Sequence, residues 1–367
     1  MVLSMKIIII SSALLLRVGM SLHGYSGFNK PPLYGDFEAQ RHWQEITVNL
    51  PTSEWYMNST DNDLLYWGLD YPPLTAYHSF LCGKVASYIN SSYVKLHSSR
   101  GLESNDHKLF MRYTVLIADL LIFIPSVMYF YKIFERLYGT KNCGETDMIF
   151  NIIMMLCYPG LILIDSGHFQ YNNLSLGLAV LALAYLMNNN DYKASVAFVL
   201  ALNYKQMELY HAFPIFIYLL ATSFRNRNII SALSKIFKLA AVVALSFFVI
   251  WLPFIWDYGI FSQVIYRLFP FARGIFEDKV SNVWCTINIL VKLRTLFDIK
   301  QLAAICALTT LISIIPSNLI LFVYPNKINL KYSLFITSLC FFLFSFQVHE
   351  KSILLAAVPA LLLFKFE

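Results

Sequence analysis

The sequence predicts an all-α protein that crosses a membrane several times. Of its 367 residues, 57% are hydrophobic and only 14% are charged, whereas soluble domains carry roughly 25% charged residues. Apolar segments recur along the whole chain, and clusters of Lys and Arg occupy alternate loops between them. So many apolar side chains cannot be buried in one water-soluble core, and the alternation of basic loops is typical of multi-span proteins.

The apolar segments predict about ten spans, because packed multi-span proteins also use segments shorter than the roughly 20 residues of a lone span. The first segment is interpreted as a retained signal anchor, although Arg17 interrupts it. A further membrane-embedded helix is considered near Val283–Phe297. The predicted spans are 7–22, 111–134, 147–164, 172–187, 193–203, 207–221, 236–256, 302–323, 333–346 and 352–366.

Basic residues orient these spans, since Lys and Arg are enriched in cytoplasmic loops. If the first span runs outward from the cytoplasm, three basic clusters lie on the cytoplasmic side of the membrane. The other side then holds the loops with dense mixtures of polar residues, which suggests one composite site there. The basic clusters are Lys132, Arg136 and Lys141; Arg225, Arg227, Lys235 and Lys238; and Lys327 and Lys331. The opposite loops are 23–110, 165–171, 204–206, 257–301 and 347–351.

Several classes of protein and site are disfavoured. The net charge is +6, but no basic run is interleaved with aromatic residues, so nucleic acid is not an expected partner. The six cysteines are scattered without a C-x-x-C pair, which disfavours a zinc site and a disulfide scaffold. Asp61-Asn62-Asp63 resembles a D-x-D metal site, yet its polar surroundings favour a solvated turn. Asn58-Ser59-Thr60 and Asn90-Ser91-Ser92 match the N-glycosylation pattern.

Residues 36–50 have the spacing of an amphipathic helix. We predict that this helix lies in the membrane interface with its apolar stripe towards the membrane. Asp36 at its start has two interpretations, a helix cap or a general base, and spacing alone favours the cap. The apolar face holds Ala39, Trp43, Ile46 and Leu50, and the charged face holds Glu38, Arg41, His42 and Glu45.

The segment Trp67–His78 contains a second carboxylate. Pro72 and Pro73 bar a continuous helix through Asp70, because a residue before proline prefers extended geometry. The sequence predicts a stiff turn at Asp70 and a new helix that runs from the prolines towards Ile89. Aromatic residues beside a carboxylate suit a sugar ring, but an interfacial aromatic belt remains an equal alternative.

Four later clusters also carry polar residues at span junctions. Ionisable groups in Asp165–Asn172 are costly unless they face water or a partner, and function is favoured over a short solvated loop because many types of polar residue are packed there. The same comparison applies to Asn203–Glu208, where Lys205 has the alternative of a simple interfacial charge. Basic residues in Arg267–Lys279 suit a phosphate or lipid head groups. Gln347–Lys351 places His, Glu and Lys together, which is difficult to explain as core.

These motifs resemble those of the dolichyl-phosphate-glucose-dependent glucosyltransferases of N-glycan assembly. They run in family order through almost the whole chain: GDFEAQRHWQEIT, YWGLDYPPLTAYHS, GHFQYN, LNYKQMELYHA, RLFPFARGIFEDKVSNVWC and QVHEKSILL. The first two look like the branch that adds the first glucose, in α-1,3 linkage, to the nine-mannose lipid-linked oligosaccharide. The alternatives are the branch that adds the second glucose and a non-catalytic short isoform.

The resemblance implies a GT-C-type fold in the endoplasmic reticulum membrane, with a lumenal active site. It implies one membrane-embedded module over 1–367, with the first lumenal loop at 23–110 bearing interfacial helices. Family members usually continue with further spans, so we expect part of the carboxy-terminal spans to be missing. The implied substrates are dolichyl-phosphate glucose and the dolichyl-diphosphate oligosaccharide, surrounded by membrane lipids. No cofactor and no metal are expected, because the donor is a monophosphate.

The resemblance also implies roles for particular residues. Asp36 matches the catalytic aspartate of the first loop and becomes the expected general base, which reverses the preference for a cap. Asp70 is the competing base or an acceptor-binding residue. The donor phosphate is assigned to His349, Lys351, Arg267 and Arg273, and the further substrate-binding candidates are His168, Lys205, Glu38 and Arg41.

Two other hypotheses remain open from the residues alone. A lipid or solute transporter would place its ionisable residues near the bilayer midplane, often on broken helices, whereas here they collect at one face. A non-catalytic subunit of a glycosylation complex would bind the donor without transferring glucose.

Overall fold

The computed structural model describes residues 3–142, 145–225, 228–269 and 280–364. Within these ranges the chain is helical and contains no strand, which confirms the all-α prediction. The chain divides into two compact units. The first comprises Met1–Asn188, Tyr192–Gln206 and Val242–Phe269, and the second comprises Asn189–Asp191, Met207–Ala241 and Pro270–Glu367. One module over 1–367 stays a prediction.

Seventeen α-helices are described in these ranges. They are α1 Leu3–Ser21, α2 Gly35–Asn49, α3 Pro73–Ile89, α4 Asn105–Ala118, α5 Ile124–Asn142, α6 Glu145–Leu156, α7 Pro159–Ile162, α8 Asn172–Met187, α9 Asp191–Tyr204, α10 Leu209–Phe224, α11 Ile229–Trp251, α12 Tyr258–Leu268, α13 Val283–Leu290, α14 Leu293–Leu296, α15 Ile299–Val323, α16 Lys327–Phe344 and α17 Leu354–Leu363. Two π-helical stretches, Asp119–Phe123 and Leu163–Phe169, continue α4 and α7.

Within the described residues every predicted span overlaps a helix, but fewer than ten of these helices are long enough to cross a bilayer. Among the described residues, seven helical stretches have the necessary length and apolar composition, which confirms a multi-pass membrane protein. The segments at 172–187, 193–203 and 352–366 correspond to the shorter helices α8, α9 and α17. The seven stretches are Ser4–Ser21, Asn105–Gly139, Thr146–Phe169, Gln206–Phe224, Ile229–Phe254, Ile299–Val323 and Lys327–Phe344.

Arg17, which interrupts the first apolar segment, is buried and makes contacts inside the protein. Its Nε donates to Oδ2 of Asp119 at 2.5 Å, and its Nη1 donates to the carbonyl oxygen of Leu156 at 2.7 Å. Asn173 Nδ2 donates to the same Asp119 oxygen at 3.1 Å. Ionisable side chains within apolar surroundings are found paired, and here the pair ties α1 to the helices around it.

The predicted helices of the first loop are confirmed, but their surroundings differ from the prediction. The apolar stripe of α2 faces the protein, because Ala39, Trp43 and Ile46 are at most 5% exposed within an apolar cluster. The prediction of a membrane-facing stripe on α2 is therefore wrong. Helix α3 instead carries exposed apolar side chains, Leu81, Val85, Tyr88 and Ile89 among them, as an interfacial helix would.

A glycine allows α2 and α3 to approach closely. A Cβ at Gly83 of α3 would lie 2.8 Å from the carbonyl oxygen of Gln44 in α2, which is too close for any side chain. The close approach covers the stripe of α2, and the segment between the two helices completes the cover with Trp55, Tyr56 and Leu69. Periodicity identified the apolar face of α2 but not what would cover it.

Candidate active site

Asp36 lies in the first turn of α2 and does not cap it. The cap residue is Tyr34, without a side-chain cap bond, so the spacing-based preference for a cap is wrong. Oδ2 of Asp36 instead accepts hydrogen bonds from Nε2 of His168 at 2.9 Å and from Nε2 of Gln170 at 2.7 Å. The Asp36 side chain is 21% exposed, so this carboxylate is both held in place and accessible.

A tight turn before α2 sets the direction of Asp36. Tyr34 and Gly35 both adopt left-handed backbone geometry, with φ of 54° and 64°. A Cβ at Gly35 would lie 2.7 Å from the carbonyl carbon of Ser26, so only glycine fits. The Ser26 amide donates to the carbonyl oxygen of His168 at 3.0 Å, which joins this turn to the segment that contacts Asp36.

The segment that presents His168 and Gln170 is bent at a strained residue. Phe169 is fully buried and has φ of 87°, a geometry that costs free energy for a bulky residue and occurs often at functional sites. Arg112 Nη1 supports the segment by donating to the carbonyl oxygen of Ser166 at 2.6 Å. The bend lets two side chains on either side of Phe169 reach one oxygen of Asp36.

A chain of buried polar groups continues from Gln170. Nζ of Lys205 donates to Oε1 of Gln170 at 3.2 Å and to Oδ1 of Asn172 at 2.7 Å. Nδ2 of Asn172 donates in turn to Oδ1 of Asp165 at 2.8 Å. We call Asp36, Gln170, Lys205, Asn172 and Asp165 the Lys205 network. Lys205 is 4% exposed and Asp165 is fully buried, so the far end of the network is closed to solvent.

Asp70 lies in the non-helical segment that the sequence predicts as a stiff turn, and this segment has a bend at Tyr71. The turn precedes α3, which begins at Pro73, and Asp70 is half-buried. Gln206 Nε2 donates to the carbonyl oxygen of Asp70 at 3.1 Å, and Arg267 donates to the carbonyl oxygens of Leu69 and Gly68 at 3.1 and 2.6 Å. The turn is thus fixed through its backbone. A phosphate-binding role for Arg267 stays a prediction beside this structural one.

Tyr71 connects the turn to the Lys205 network. Its ring centre lies 4.7 Å from Nζ of Lys205, within the range of a cation–π interaction. The carbonyl oxygen of Tyr71 accepts a hydrogen bond from the hydroxyl of Tyr56 at 2.7 Å. The structure therefore brings together Asp36, His168 and Lys205, three of the residues that the sequence assigned to one composite site, with the Asp70 turn linked through Tyr71.

Glu38 and Arg41 lie in a closed ionic cluster. Arg41 is fully buried and donates to both oxygens of Glu38 at 2.7 and 2.8 Å, to Glu45 at 2.6 Å and to Ser99 at 2.5 Å. Burial raises the pKa of Glu45, but its hydrogen bond with His42 and the charge of Arg41 outweigh this and lower it to about 2. Substrate binding by Glu38 and Arg41 stays a prediction, whereas the geometry favours a structural role.

Three further residues were predicted to bind the donor phosphate, namely Arg273, His349 and Lys351. Arg273 falls outside the described residues. His349 and Lys351 belong to the second unit, where Nδ1 of His349 lies 3.1 Å from Oε2 of Glu350 and accepts from the Lys351 amide at 3.3 Å. The His349 side chain is 40% exposed, so an anionic ligand is able to reach it.

The Asp61-Asn62-Asp63 segment is an ordered turn. Asn62 is fully buried, and its Nδ2 donates to the carbonyl oxygens of Glu54, Trp55 and Met57 at 3.0 to 3.1 Å. Within the described ranges, no group of three or more His, Cys, Asp or Glu side chains is arranged to hold a metal ion. Independence from metal and cofactor stays a prediction.

Several known proteins are similar to this chain in sequence. The sequence model of the ALG6, ALG8 glycosyltransferase family matches residues 3–367. A Drosophila melanogaster protein named probable dolichyl pyrophosphate Man9GlcNAc2 alpha-1,3-glucosyltransferase is 49% identical over 360 residues, which are 97% of this chain and 75% of the fly protein. The Gallus gallus protein named dolichyl pyrophosphate Man9GlcNAc2 alpha-1,3-glucosyltransferase is 50% identical over 360 residues, covering 98% of this chain and 70% of its own length.

Proposed function

Because this chain belongs to the ALG6, ALG8 glycosyltransferase family, we propose that it transfers glucose to the terminal mannose of lipid-linked Man9GlcNAc2 in α-1,3 linkage. The similarity to the fly and chicken proteins, whose names state this acceptor and this linkage, covers nearly the whole chain and supports the proposal. The glucose donor in this proposal is dolichyl-phosphate glucose.

The proposed reaction is a single displacement with inversion. The 3-hydroxyl oxygen of mannose forms a bond to the anomeric carbon of glucose, while the bond from that carbon to the phosphate oxygen breaks. The electron pair of the broken bond leaves with dolichyl phosphate, and the hydroxyl proton passes to a base. Because the leaving group is already a stable anion, positive charge around it matters more than a general acid.

Asp36 is the proposed base, and its geometry is the observation that carries the mechanism. Its carboxylate is partly exposed and is oriented by His168 and Gln170, so one of its oxygens is fixed while the group remains accessible. Asp165 is fully buried and accepts bonds on both oxygens, so it is a less suitable base for an acceptor sugar than Asp36. Arg267, Arg273, His349 and Lys351 are the proposed sources of positive charge for the phosphate.

The proposed function is tested with the purified full chain in lipid nanodiscs and synthetic dolichyl-phosphate glucose. We expect glucose transfer to a lipid-linked Man9GlcNAc2 acceptor, and no transfer when that acceptor already carries the first glucose. The product is read by mass spectrometry and by digestion with linkage-specific glucosidases. Transfer only to the glucosylated acceptor would indicate the second enzyme of the pathway, and donor binding without transfer would indicate a non-catalytic protein. A parallel reaction with a chelator tests the expected independence from metal.

The active site is proposed to face the lumen of the endoplasmic reticulum, and the two glycosylation patterns test this orientation. Asn58 and Asn90 are both exposed in the first loop, so we expect glycans at one or both in microsomes. Glycosidase treatment should increase the gel mobility, and the shift should disappear in the variant with Asn58→Gln and Asn90→Gln. Cleavage of this loop by protease outside sealed microsomes would contradict the lumenal orientation.

A further inference from the structure

The Lys205 network fixes which end of the Gln170 amide faces Asp36. An amide side chain has an oxygen that only accepts hydrogen bonds and a nitrogen that only donates them. The Lys205 ammonium has only donors, so the Gln170 oxygen at 3.2 Å from Nζ must be the acceptor. The Gln170 nitrogen is then turned towards Asp36, at 2.7 Å from Oδ2.

The Lys205 ammonium also orients a second amide, that of Asn172, towards the other carboxylate, Asp165. Oδ1 of Asn172 accepts from Lys205 at 2.7 Å, which turns Nδ2 towards Asp165 at 2.8 Å. Oδ2 of Asp165 accepts from the backbone amide of Asn173 at 2.6 Å. A buried cation therefore stands between two carboxylates, Asp36 and Asp165, with one oriented amide on each side.

We propose that Lys205 is a positioning residue for glucose transfer, which acts on Asp36 through the Gln170 amide and contacts neither substrate. This inference rests on the proposed function, since it requires Asp36 to be the base. Without Lys205, the Gln170 oxygen loses the donor that anchors it, so the amide can move and its nitrogen is held less firmly against the Asp36 carboxylate. This role is an alternative to the prediction from the sequence that Lys205 binds substrate.

The positioning by Lys205 acts on the orientation of the Asp36 carboxylate relative to the reacting groups. Asp36 sits on the first turn of a helix next to a loop, and its carboxylate can rotate unless donors hold it. A displacement of about 1 Å between reacting groups is enough to cost on the order of 10²-fold in rate. Donors on the charged carboxylate also favour its deprotonated form, which keeps the base ready at lower pH.

The test compares Gln170→Leu, Lys205→Met and the double variant in the nanodisc assay with synthetic dolichyl-phosphate glucose. We expect each single variant to lower kcat by about 10- to 100-fold, with KM for both substrates changed by less than about 2-fold. The acidic limb of the kcat profile should move to higher pH in both, because the carboxylate loses a donor. The double variant should be no slower than the slower single variant, since both remove the same contact.

Controls separate positioning from folding. Lys84→Met removes an exposed lysine of α3 and should leave kcat unchanged. If Lys205→Met does not fold because Asp165 loses its countercharge, the variant with Lys205→Met and Asp165→Asn removes both charges and should show the same loss of kcat. Gln170→Leu removes the amide directly and leaves both charges in place.

Three results would overturn the inference. One is a multiplicative loss of kcat in the double variant, which would mean that Lys205 and Gln170 act independently. Another is a raised KM in Lys205→Met with unchanged kcat, which would mean that Lys205 contacts substrate. The third is behaviour of Gln170→Leu like that of Lys84→Met. If the wild-type chain transfers no glucose, the proposed function fails and the inference fails with it, whereas an active wild type with unaffected variants refutes only the positioning.

Discussion

Asp36→Asn is expected to lower kcat for glucose transfer by about 10²- to 10⁴-fold, the range that a positioned general base contributes. Asparagine has the size of aspartate, and its side-chain oxygen is still able to accept from His168 and Gln170, at the distances of 2.9 and 2.7 Å seen for Asp36. What it lacks is the capacity to take the proton of the mannose 3-hydroxyl. The measurement is the initial rate with saturating donor and acceptor in nanodiscs.

The matched control is Asp70→Asn, which changes the competing carboxylate in the same way. Asp70 sits in a turn held through its backbone by Gln206, so this change should leave the fold intact. We expect a smaller loss of kcat than for Asp36→Asn, or a higher KM for the acceptor. Near-normal turnover by Asp36→Asn together with an inactive Asp70→Asn would transfer the role of base to Asp70. If both variants have the same thermal stability as the wild type, neither result reflects unfolding.

The positions of several elements follow from local signals in the sequence. Pro72 and Pro73 at the start of α3 determine where that helix begins, and the apolar periodicity of α2 gives its extent within one residue. Of the polar residues that the sequence predicts to gather in one site, Asp36, His168 and Lys205 lie in one connected group. These signals are local or depend on the strong constraint that a bilayer imposes on polar groups.

Other features depend on long-range packing that periodicity does not encode. A charged helix face looks the same in sequence whether water or protein covers it, so the burial of Glu38, Arg41 and Glu45 was not predicted. Asp36 was assigned to a cap by spacing, because the left-handed turn at Tyr34 and Gly35 has no clear pattern. Gln170 and Asn172 were not singled out, since a neutral amide carries little signal until its partners are known.

Arg41→Met should destabilise the fold more than any surface change in the first loop. Arg41 is fully buried between Glu38 and Glu45, which are 1% and 0% exposed, and it donates to both. Its removal leaves two carboxylates buried without their cation. Breaking a buried ion pair by removing one partner costs about 3–5 kcal/mol, which should appear as a clear drop in the thermal unfolding temperature of the purified protein.

The pH dependence distinguishes this charge effect from lost packing. The pKa of Glu45 is lowered from 4.5 to about 2, where burial raises it but the hydrogen bond with His42 and the charge of Arg41 prevail. A depressed pKa in the folded state contributes stability that is present above about pH 4.5 and is lost as the pH falls towards 2. The difference in unfolding temperature between wild type and Arg41→Met should therefore be large at neutral pH and shrink below pH 4.5.

Two further variants complete this test. Lys95→Met removes an exposed cation of the same loop and should change the unfolding temperature little, since exposed ion pairs contribute about 0–1 kcal/mol. Adding Glu38→Gln and Glu45→Gln to Arg41→Met removes the uncompensated charges and should recover part of the loss. An Arg41→Met variant as stable as Lys95→Met would refute the structural role of the cluster and return Glu38 and Arg41 to the candidates for substrate binding.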